Sequence, residues 1–152
     1  MSIKTQGTNL FFIDSAAVVT MQCPTGITGL GGTRDQIETT CLNATDDKSY
    51  VSGLGNPGQV SVPFVFDPQA ASHQALIDLH DSGDVTSWAI GFSDGTATPT
   101  IVSGEFAFAS TRTYAEFSAF VADINIDVAT NEVVRGTLTL QRSGTVAWSF
   151  KA

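Results

Sequence analysis

The chain has 152 residues, of which 42% are hydrophobic and 14% are charged, and its formal net charge is −8. This length favours a single domain whose core needs no metal or disulfide to hold it, and the composition excludes a wholly disordered chain. The acidic balance argues against nucleic-acid binding and against adsorption to a membrane, except for a surface that must let DNA pass without sticking.

The N-terminus and the cysteines bear on the compartment. The opening stretch MSIKTQGTN is polar and unlike a signal sequence. The most apolar early run, LFFIDSAAVVTM, is interrupted by Asp14 and is too short to span a bilayer. Cys23 and Cys41 lack metal-ligand spacing, and we expect both thiols to stay reduced. The sequence therefore predicts a protein that is made in a cytoplasm.

The chain begins with two short apolar runs, Leu10–Ile13 and Ala17–Met21, which are predicted to be strands joined around Asp14 and Ser15. A connection rich in glycine and proline follows, with the sequence CPTGITGLGGTRD, because glycine tolerates positive φ and proline fixes φ. A third strand is predicted over Gln36–Cys41.

A long polar segment from residue 43 to about residue 58 shows no apolar period and contains three glycines around a proline. So long a stretch without predicted structure is unusual inside a compact domain and indicates function or disorder. Its apolar side chains have no obvious core to enter. The residues of interest are Asp46, Asp47, Tyr50, Val51 and Leu54.

A strand and the only predicted helix come next. Residues 60–66 alternate with a period of two, and Pro63 places this strand at a sheet edge or a bulge because it has no N–H to donate. The stretch FDPQAASHQALIDLHDSG predicts a helix with Asp67 as its N-cap, Pro68 at its first position and Gly83 at its end. Its apolar stripe consists of Ala71, Ala75, Leu76 and Leu79.

The rest of the chain alternates with the period of β-strands. Strands are predicted over Thr86–Phe92, Thr100–Ser110, Tyr114–Val128, Val134–Leu140 and Val146–Phe150. The strand from Tyr114 is apolar on one side and half apolar, half acidic on the other. Either another subunit covers it or it bends through the core, and the sequence leaves both open. The total of eight or nine strands predicts a mainly β protein, an antiparallel β-sandwich with one flanking α-helix.

No catalytic or cofactor-binding motif is present, so we predict neither an enzyme nor a cofactor. His73 and His80 lie seven residues apart on the helix, which suits exposed polar residues better than metal ligands. Glu105 and Glu116 could pair as a glycosidase dyad, but two acids across a hairpin are common on a solvent face. Most of the aromatic residues fall on apolar strand faces and are predicted to belong to the core.

Taken together, several stretches resemble a major tail tube protein of long-tailed bacteriophages, of the siphophage type. They are YVSGLGNPGQVSVPFVFDP, HQALIDLH, WAIGFSDGT, the FAFAS and FSAFVADINI hairpin, and V-x-R-G-T-L-T-L. The resemblance covers residues 5–150, so that residues 1–152 are expected to form a single tail tube domain. It implies hexameric rings, stacked into a hollow tube, in which strands of each subunit close one inner barrel.

The resemblance also implies a role for the soft segment and for the acids. The segment 43–58 would reach from one ring to the next, and an acidic lumen would let DNA slide through during ejection. The candidate lumen acids are Glu105, Glu116, Asp123 and Asp127, although the sequence does not say which sheet face points inward. The protein would be located in the virion tail, with identical copies, the tape measure protein, the tail tip and the tail terminator as partners.

Three alternatives remain open at this point. The nearest is the inner tube of a contractile tail or a secretion-system ring protein, which the resemblance also accommodates. A carbohydrate-binding β-sandwich module would need an exposed aromatic platform. A hydrolase would need Glu105 and Glu116 to act together.

Overall fold

The computed structural model describes residues 2–152, and within that range it contains ten β-strands and one α-helix. The strands are β1 Asn9–Asp14, β2 Ala17–Thr20, β3 Thr33–Glu38, β4 Tyr50–Asn56, β5 Gln59–Val65, β6 Thr86–Gly91, β7 Thr100–Val102, β8 Glu105–Ala107, β9 Tyr114–Asp127 and β10 Arg135–Ser149. The helix α1 spans Ala71–Ser82. No helix within residues 2–152 is long and apolar enough to cross a membrane.

Six strands form one antiparallel sheet in the order β2-β1-β6-β9-β10-β5. Pro63 lies in β5, the outermost strand, which confirms its predicted place at an edge. Its carbonyl accepts a hydrogen bond of 2.8 Å from the Thr25 N–H, and Thr28 and Ser61 exchange two more. The glycine-rich connection between β2 and β3 therefore covers the border of β5.

The core lies between one face of this sheet, which we call the core face, and α1. Leu76 and Leu79 of the helix pack there with Trp88 of β6, whose ring also stacks on Phe12 at 4.9 Å. The alternation of apolar and polar residues along β5 and the first half of β10 explains why these strands bury one side only. The buried core residues of the sheet strands are Leu10, Phe12, Val60, Val62, Phe64, Trp88, Ile90, Ala115, Phe117, Ala119, Val121, Leu138 and Leu140.

The helix begins later than predicted. Asp67 is not its N-cap, because the Asp67 carboxylate accepts the Gln69 N–H at 2.9 Å and the Asp67 carbonyl accepts the Ala70 N–H at 3.1 Å, which closes a separate turn. The N-cap is Ala70, without a side-chain cap. The end is as predicted: Gly83 adopts φ 72°, and its N–H bonds the Leu79 carbonyl at 3.0 Å.

The two-sided pattern of β9 has a local cause. Val121 pairs with Leu140 and Asp123 pairs with Thr139, so that Ala122 is an extra residue that bulges out of the ladder. Before the bulge the odd-numbered residues face the core, and after it the even-numbered Ile124 and Ile126 do. The bulge thus accounts for the two-sided pattern within the subunit, and cover of this strand by another subunit stays a prediction.

The opposite side of the sheet, which we call the second face, carries a small second layer at one end. The predicted strand Thr100–Ser110 is instead a hairpin of β7 and β8, because Ser103 and Gly104 take positive φ and reverse the chain. Phe106 and Phe108 pack against a buried cluster of Phe11, Ala89 and Tyr114. The antiparallel, mainly β fold with one flanking helix is thus confirmed.

Candidate assembly surfaces

The segment predicted to lack structure forms half of a β-hairpin. β4 pairs antiparallel with β3, with Ile37 opposite Val51 and Glu38 opposite Tyr50. The prediction of a loop over residues 43–58 was therefore wrong for residues 50–56, because β-branched and aromatic residues at the start of β4 outweigh its glycines. We call residues 33–56 the arm and residues 39–49, which contain no strand, the arm tip.

The arm is exposed to solvent along almost its whole length. Tyr50 and Val51 are 51% and 50% exposed, and Leu54 is 83% exposed. Ile37 and Leu42 add two further exposed apolar side chains, and the acidic Asp46 and Asp47 lie at the exposed tip. Exposed apolar residues that cluster in this way mark a surface for protein contact.

The arm makes no hydrogen bond from residues 33–56 to any other part of residues 2–152. Its hairpin is a separate two-stranded sheet, so that both outer borders have unpaired main-chain groups that could bind another strand. The arm is therefore attached to the domain through its two ends alone.

Arg142 of β10 holds these two ends together. Its guanidinium donates to the carbonyls of Leu30, at 3.1 Å, and Gly31, at 2.6 Å, before β3, and its Nε donates to the carbonyl of Pro57, at 2.8 Å, after β4. A second bond to Pro57 comes from Nη2. The neighbouring Gln141 side chain adds a bond of 3.1 Å to the Gly58 carbonyl. We call this group of contacts the arm root.

The acids predicted for the lumen lie on one side of the large sheet. Glu116 of β9, which pairs with Ala89, points to the second face, and after the bulge Asp123 and Asp127 point the same way. Glu105 lies on the β7–β8 hairpin that covers the end of this face. The structure thus gathers the four acids on the side of the sheet opposite α1.

Glu116 is the most perturbed of these acids. Burial raises the pKa of its carboxyl above the ordinary value, and the negative charge of Glu105 raises it further. Neither glutamate lines the cleft between the N-terminal segment and Phe92 or the cleft beside Arg142. Glu116 is half-buried in β9, whereas Glu105 is exposed in β8.

The two histidines of α1 have separate roles. His73 is fully buried, against the prediction of an exposed residue: its Nδ1 accepts the Asp67 N–H at 3.0 Å and its Nε2 donates to the Gln22 carbonyl at 2.7 Å. His80 is partly exposed beside Asp81 at 3.5 Å. No cluster of potential metal ligands occurs within residues 2–152. His73 instead ties the start of the helix to the preceding loops.

An aromatic stack lies on the surface near the end of the chain. Trp148 stacks on Phe92 at 5.8 Å and on Phe150 at 5.9 Å, and Trp148 and Phe150 are exposed. A sugar-binding platform presents a free ring face to the ligand, whereas the ring of Trp148 is already shared between two neighbours. The stack is the feature that a carbohydrate module would need, and Phe150 at its outer end is 71% exposed.

Two buried arginines were missed by the sequence analysis. Arg112 and Arg142 are 1% and 5% exposed and bond to main-chain carbonyls. For Arg142 a signal existed, because Leu138, Leu140 and Arg142 follow each other at a spacing of two on the core face. Arg112 lies in a loop next to threonines, where no periodicity reveals a buried side chain.

Comparison with known proteins agrees with this geometry. A family model described as phage tail tube, TTP, lambda-like matches residues 1–152. The chain is also 40% identical over 149 residues to Structural protein 3 of Pseudomonas phage PAJU2. The aligned region covers 93% of this chain and 90% of that protein.

Two solved structures share the fold at low sequence identity. The SPP1 tail tube protein superposes with a TM-score of 0.70 at 12% identity, covering 98% of this chain and 80% of that one. The sheath–tube complex of the PVC extracellular contractile injection system contains a chain with a TM-score of 0.68 at 15% identity, covering 97% and 90%. At such identities the likeness concerns the fold alone.

Proposed function

Because this chain belongs to the lambda-like phage tail tube family and is a structural protein of the virion, we propose that its copies form hexameric rings that stack into a hollow tail tube. DNA would pass through this tube on its way into the host cell. The observation that carries the proposal is the arm: a folded hairpin with exposed apolar side chains whose hydrogen bonds to the rest of residues 2–152 are confined to the root.

The arm would bridge successive rings. Complete burial of a Val, Leu or Ile side chain contributes about 1.5–3 kcal/mol, so that covering the exposed parts of Ile37, Val51 and Leu54 contributes about 3 kcal/mol in total. Since β3 and β4 are already paired in the subunit, docking would have to order the tip but not the strands. This preorganisation lowers the entropic cost of stacking relative to a structureless segment.

The open border of β9 supports ring closure. β6 pairs with β9 from Tyr114 to Ala119 only, whereas β9 continues to Asp127. The end of β9 therefore pairs with β10 on one side and presents free main-chain groups on the other. A strand of the neighbouring subunit could pair there, which would continue the sheet around the ring and remove an exposed edge.

The second face would line the lumen. The core face is covered by α1 and its buried side chains, so that the second face is the one left open to a channel. Asp123 and Asp127 would then project into the lumen, with Glu116 and Glu105 close to its wall. A negative wall repels the phosphate backbone, which would let DNA move without binding.

We favour a non-contractile tube because the family match is to the lambda-like group. The shared fold of a contractile injection system tube keeps the inner tube of a contractile tail as the second candidate. A tape measure protein inside the tube, and tip and terminator proteins at its ends, are the further partners that this function requires. A sheath gene beside the gene for this chain would favour the second candidate.

The proposal is tested by substitutions on the arm that keep its strands. Ile37→Thr, Val51→Thr and Leu54→Ser remove the apolar patch while threonine preserves the strand preference. Losing about 3 kcal/mol per arm would raise the concentration needed for tube formation about 100-fold. Negative-stain electron microscopy across a dilution series, with and without tail tips as nuclei, measures this.

The matched control replaces two exposed valines outside the arm, Val85→Thr and Val133→Thr. The control should form tubes as the unmodified protein does, and both variants should remain folded. Tubes of the arm variant at unchanged concentration would show that the arm does not join rings. Absence of rings and tubes from the unmodified protein, even with tail tips, would contradict the proposal as a whole.

A further inference from the structure

We propose that Arg142 is a positioning residue that fixes the angle at which the arm leaves the domain. Its relevance to stacking rests on the proposed function of the arm. The starting observation is that one buried side chain of β10 bonds the chain both before β3 and after β4. The two strands of the arm are thereby fastened to the same point of the large sheet.

The chemistry of this contact requires arginine. The guanidinium of Arg142 is 5% exposed and its bonding partners are the neutral carbonyls of Leu30, Gly31 and Pro57. A planar fork with five N–H donors can reach carbonyls on both sides at once, whereas a lysine ammonium presents its donors from a single atom. The charge is thus stabilised by carbonyl dipoles, and these carbonyls are in turn held at fixed positions.

The surrounding backbone is shaped for the same contact. At Gly32 a Cβ atom would lie 2.9 Å from the Asn56 carbonyl oxygen and 3.2 Å from Nη2 of Arg142. At Gly29, which has φ 94°, a Cβ would lie 2.1 Å from the Gln59 carbonyl oxygen. The two sides of the root therefore approach each other closely, and side chains at these glycines would separate them.

The arm turns a small change at its root into a large one at its tip. β4 has seven residues and spans about 23 Å, so that a swing of about 10° at the root would move its far end by about 4 Å. That displacement approaches the spacing between neighbouring strands, which is about 4.8 Å. Since no hydrogen bond joins the arm to the domain beyond the root, the contacts of Arg142 set the direction of the arm.

Two native cysteines allow this angle to be measured. Cys41 lies at the arm tip and Cys23 lies on the domain beside β5, and both are free and exposed. Spin labels on these two thiols report the distribution of tip-to-domain distances by pulsed electron resonance. The unmodified subunit, kept below the concentration at which tubes form, should give one narrow distribution.

Arg142→Gln should broaden or shift this distance distribution by about 4 Å for each 10° by which the arm swings about its root. Arg135→Gln, which removes an exposed arginine of the same strand, should leave it unchanged. Arg142→Lys keeps the charge without the fork and should broaden it as well, and it decides the matter if the glutamine variant does not fold. A folded Arg142 variant with the distribution of the unmodified subunit would overturn the inference.

Tube geometry gives a second readout that a purely stabilising residue would not change. At a concentration that restores assembly, tubes of Arg142→Lys should show an altered or variable twist between rings in helical reconstructions, whereas Arg135→Gln tubes should match the unmodified ones. An unaltered, uniform twist would contradict a positioning role in stacking. Normal stacking of the variant Ile37→Thr, Val51→Thr and Leu54→Ser would instead show that the arm does not join rings, and it would leave the spin-label result standing.

Discussion

Replacing Arg112 by methionine tests how a buried charge without a carboxylate partner supports this fold. The guanidinium is 1% exposed and lies 5.6 and 5.7 Å from the ring centroids of Phe11 and Tyr114. All of its hydrogen bonds connect parts of the chain that are distant in sequence. Its acceptors are the carbonyls of Phe92 at 2.7 Å, Gly91 at 2.8 Å, Ala97 at 2.9 Å and Gly7 at 3.0 Å, and the side-chain oxygen of Asn9 at 2.8 Å.

The expected loss of stability follows from two opposing terms. A hydrogen bond from a charged donor contributes about 1.5–3 kcal/mol, and although the two N–H groups of Nη2 are shared among three of the five acceptors, the sum would approach the whole stability of many domains. Burying the guanidinium costs several kcal/mol, which methionine does not incur. Since the carbonyls left behind lose their donor, we expect Arg112→Met to lower the free energy of unfolding by about 3 kcal/mol.

Urea unfolding of the unassembled subunit, followed by the fluorescence of the buried Trp88, measures this change. Hydrogen exchange of the N-terminal segment should rise in the same variant, because Gly7 and Asn9 lose a partner. Arg135→Met, at an exposed arginine, should change the free energy by less than about 0.5 kcal/mol. A loss below about 1 kcal/mol for Arg112→Met would show that the bonds do not outweigh the cost of burying the charge.

Two further predictions concern the acids of the second face. Because the pKa of Glu116 is raised in the folded state, the folded subunit holds this proton to higher pH than the unfolded chain, and stability should fall as pH rises through that raised pKa. Glu116→Gln should remove this dependence of the free energy of unfolding on pH, as measured by urea unfolding across the mildly acidic range. An unchanged dependence would show that another group causes it. Asp123→Lys combined with Asp127→Lys should make assembled tubes retain short duplex DNA in a salt-dependent way and should slow ejection. The control is Glu132→Lys in a turn, and equal retention by both variants would argue against a lumen at this face.

The elements with strong periodicity were predictable from the sequence. The helix, its end at Gly83 and the edge position of Pro63 are confirmed because each depends on local chemistry: a positive φ or a missing N–H. The start of the helix was wrong because Asp67 can cap a turn as readily as a helix. Whether Asp67 caps a turn or the helix depends on tertiary contacts, because the chain before the helix must also reach the buried His73.

The arm shows where local patterns fail. Glycines in β4 indicated a loop, and only the pairing with β3 reveals a strand. The predicted arm residues are exposed as expected, but their role between rings stays a prediction, as does the lumen role of the four acids. Arg142 could have been suspected from its spacing, whereas its partners, more than 80 residues away along the chain, could not.

Ala122 adds one residue to β9 that has no partner in β10, and the bulge absorbs this residue so that pairing resumes with Asp123 opposite Thr139. Deleting Ala122 would remove the bulge and leave Val121 and Asp123 as neighbours opposite Leu140 and Thr139, so that Asp123 and Asp127 would still face away from the core and Ile124 and Ile126 toward it. A substitution at the same position leaves the phase intact. The unpaired position thus gives β9 room to lose one residue without changing which of its side chains face the core.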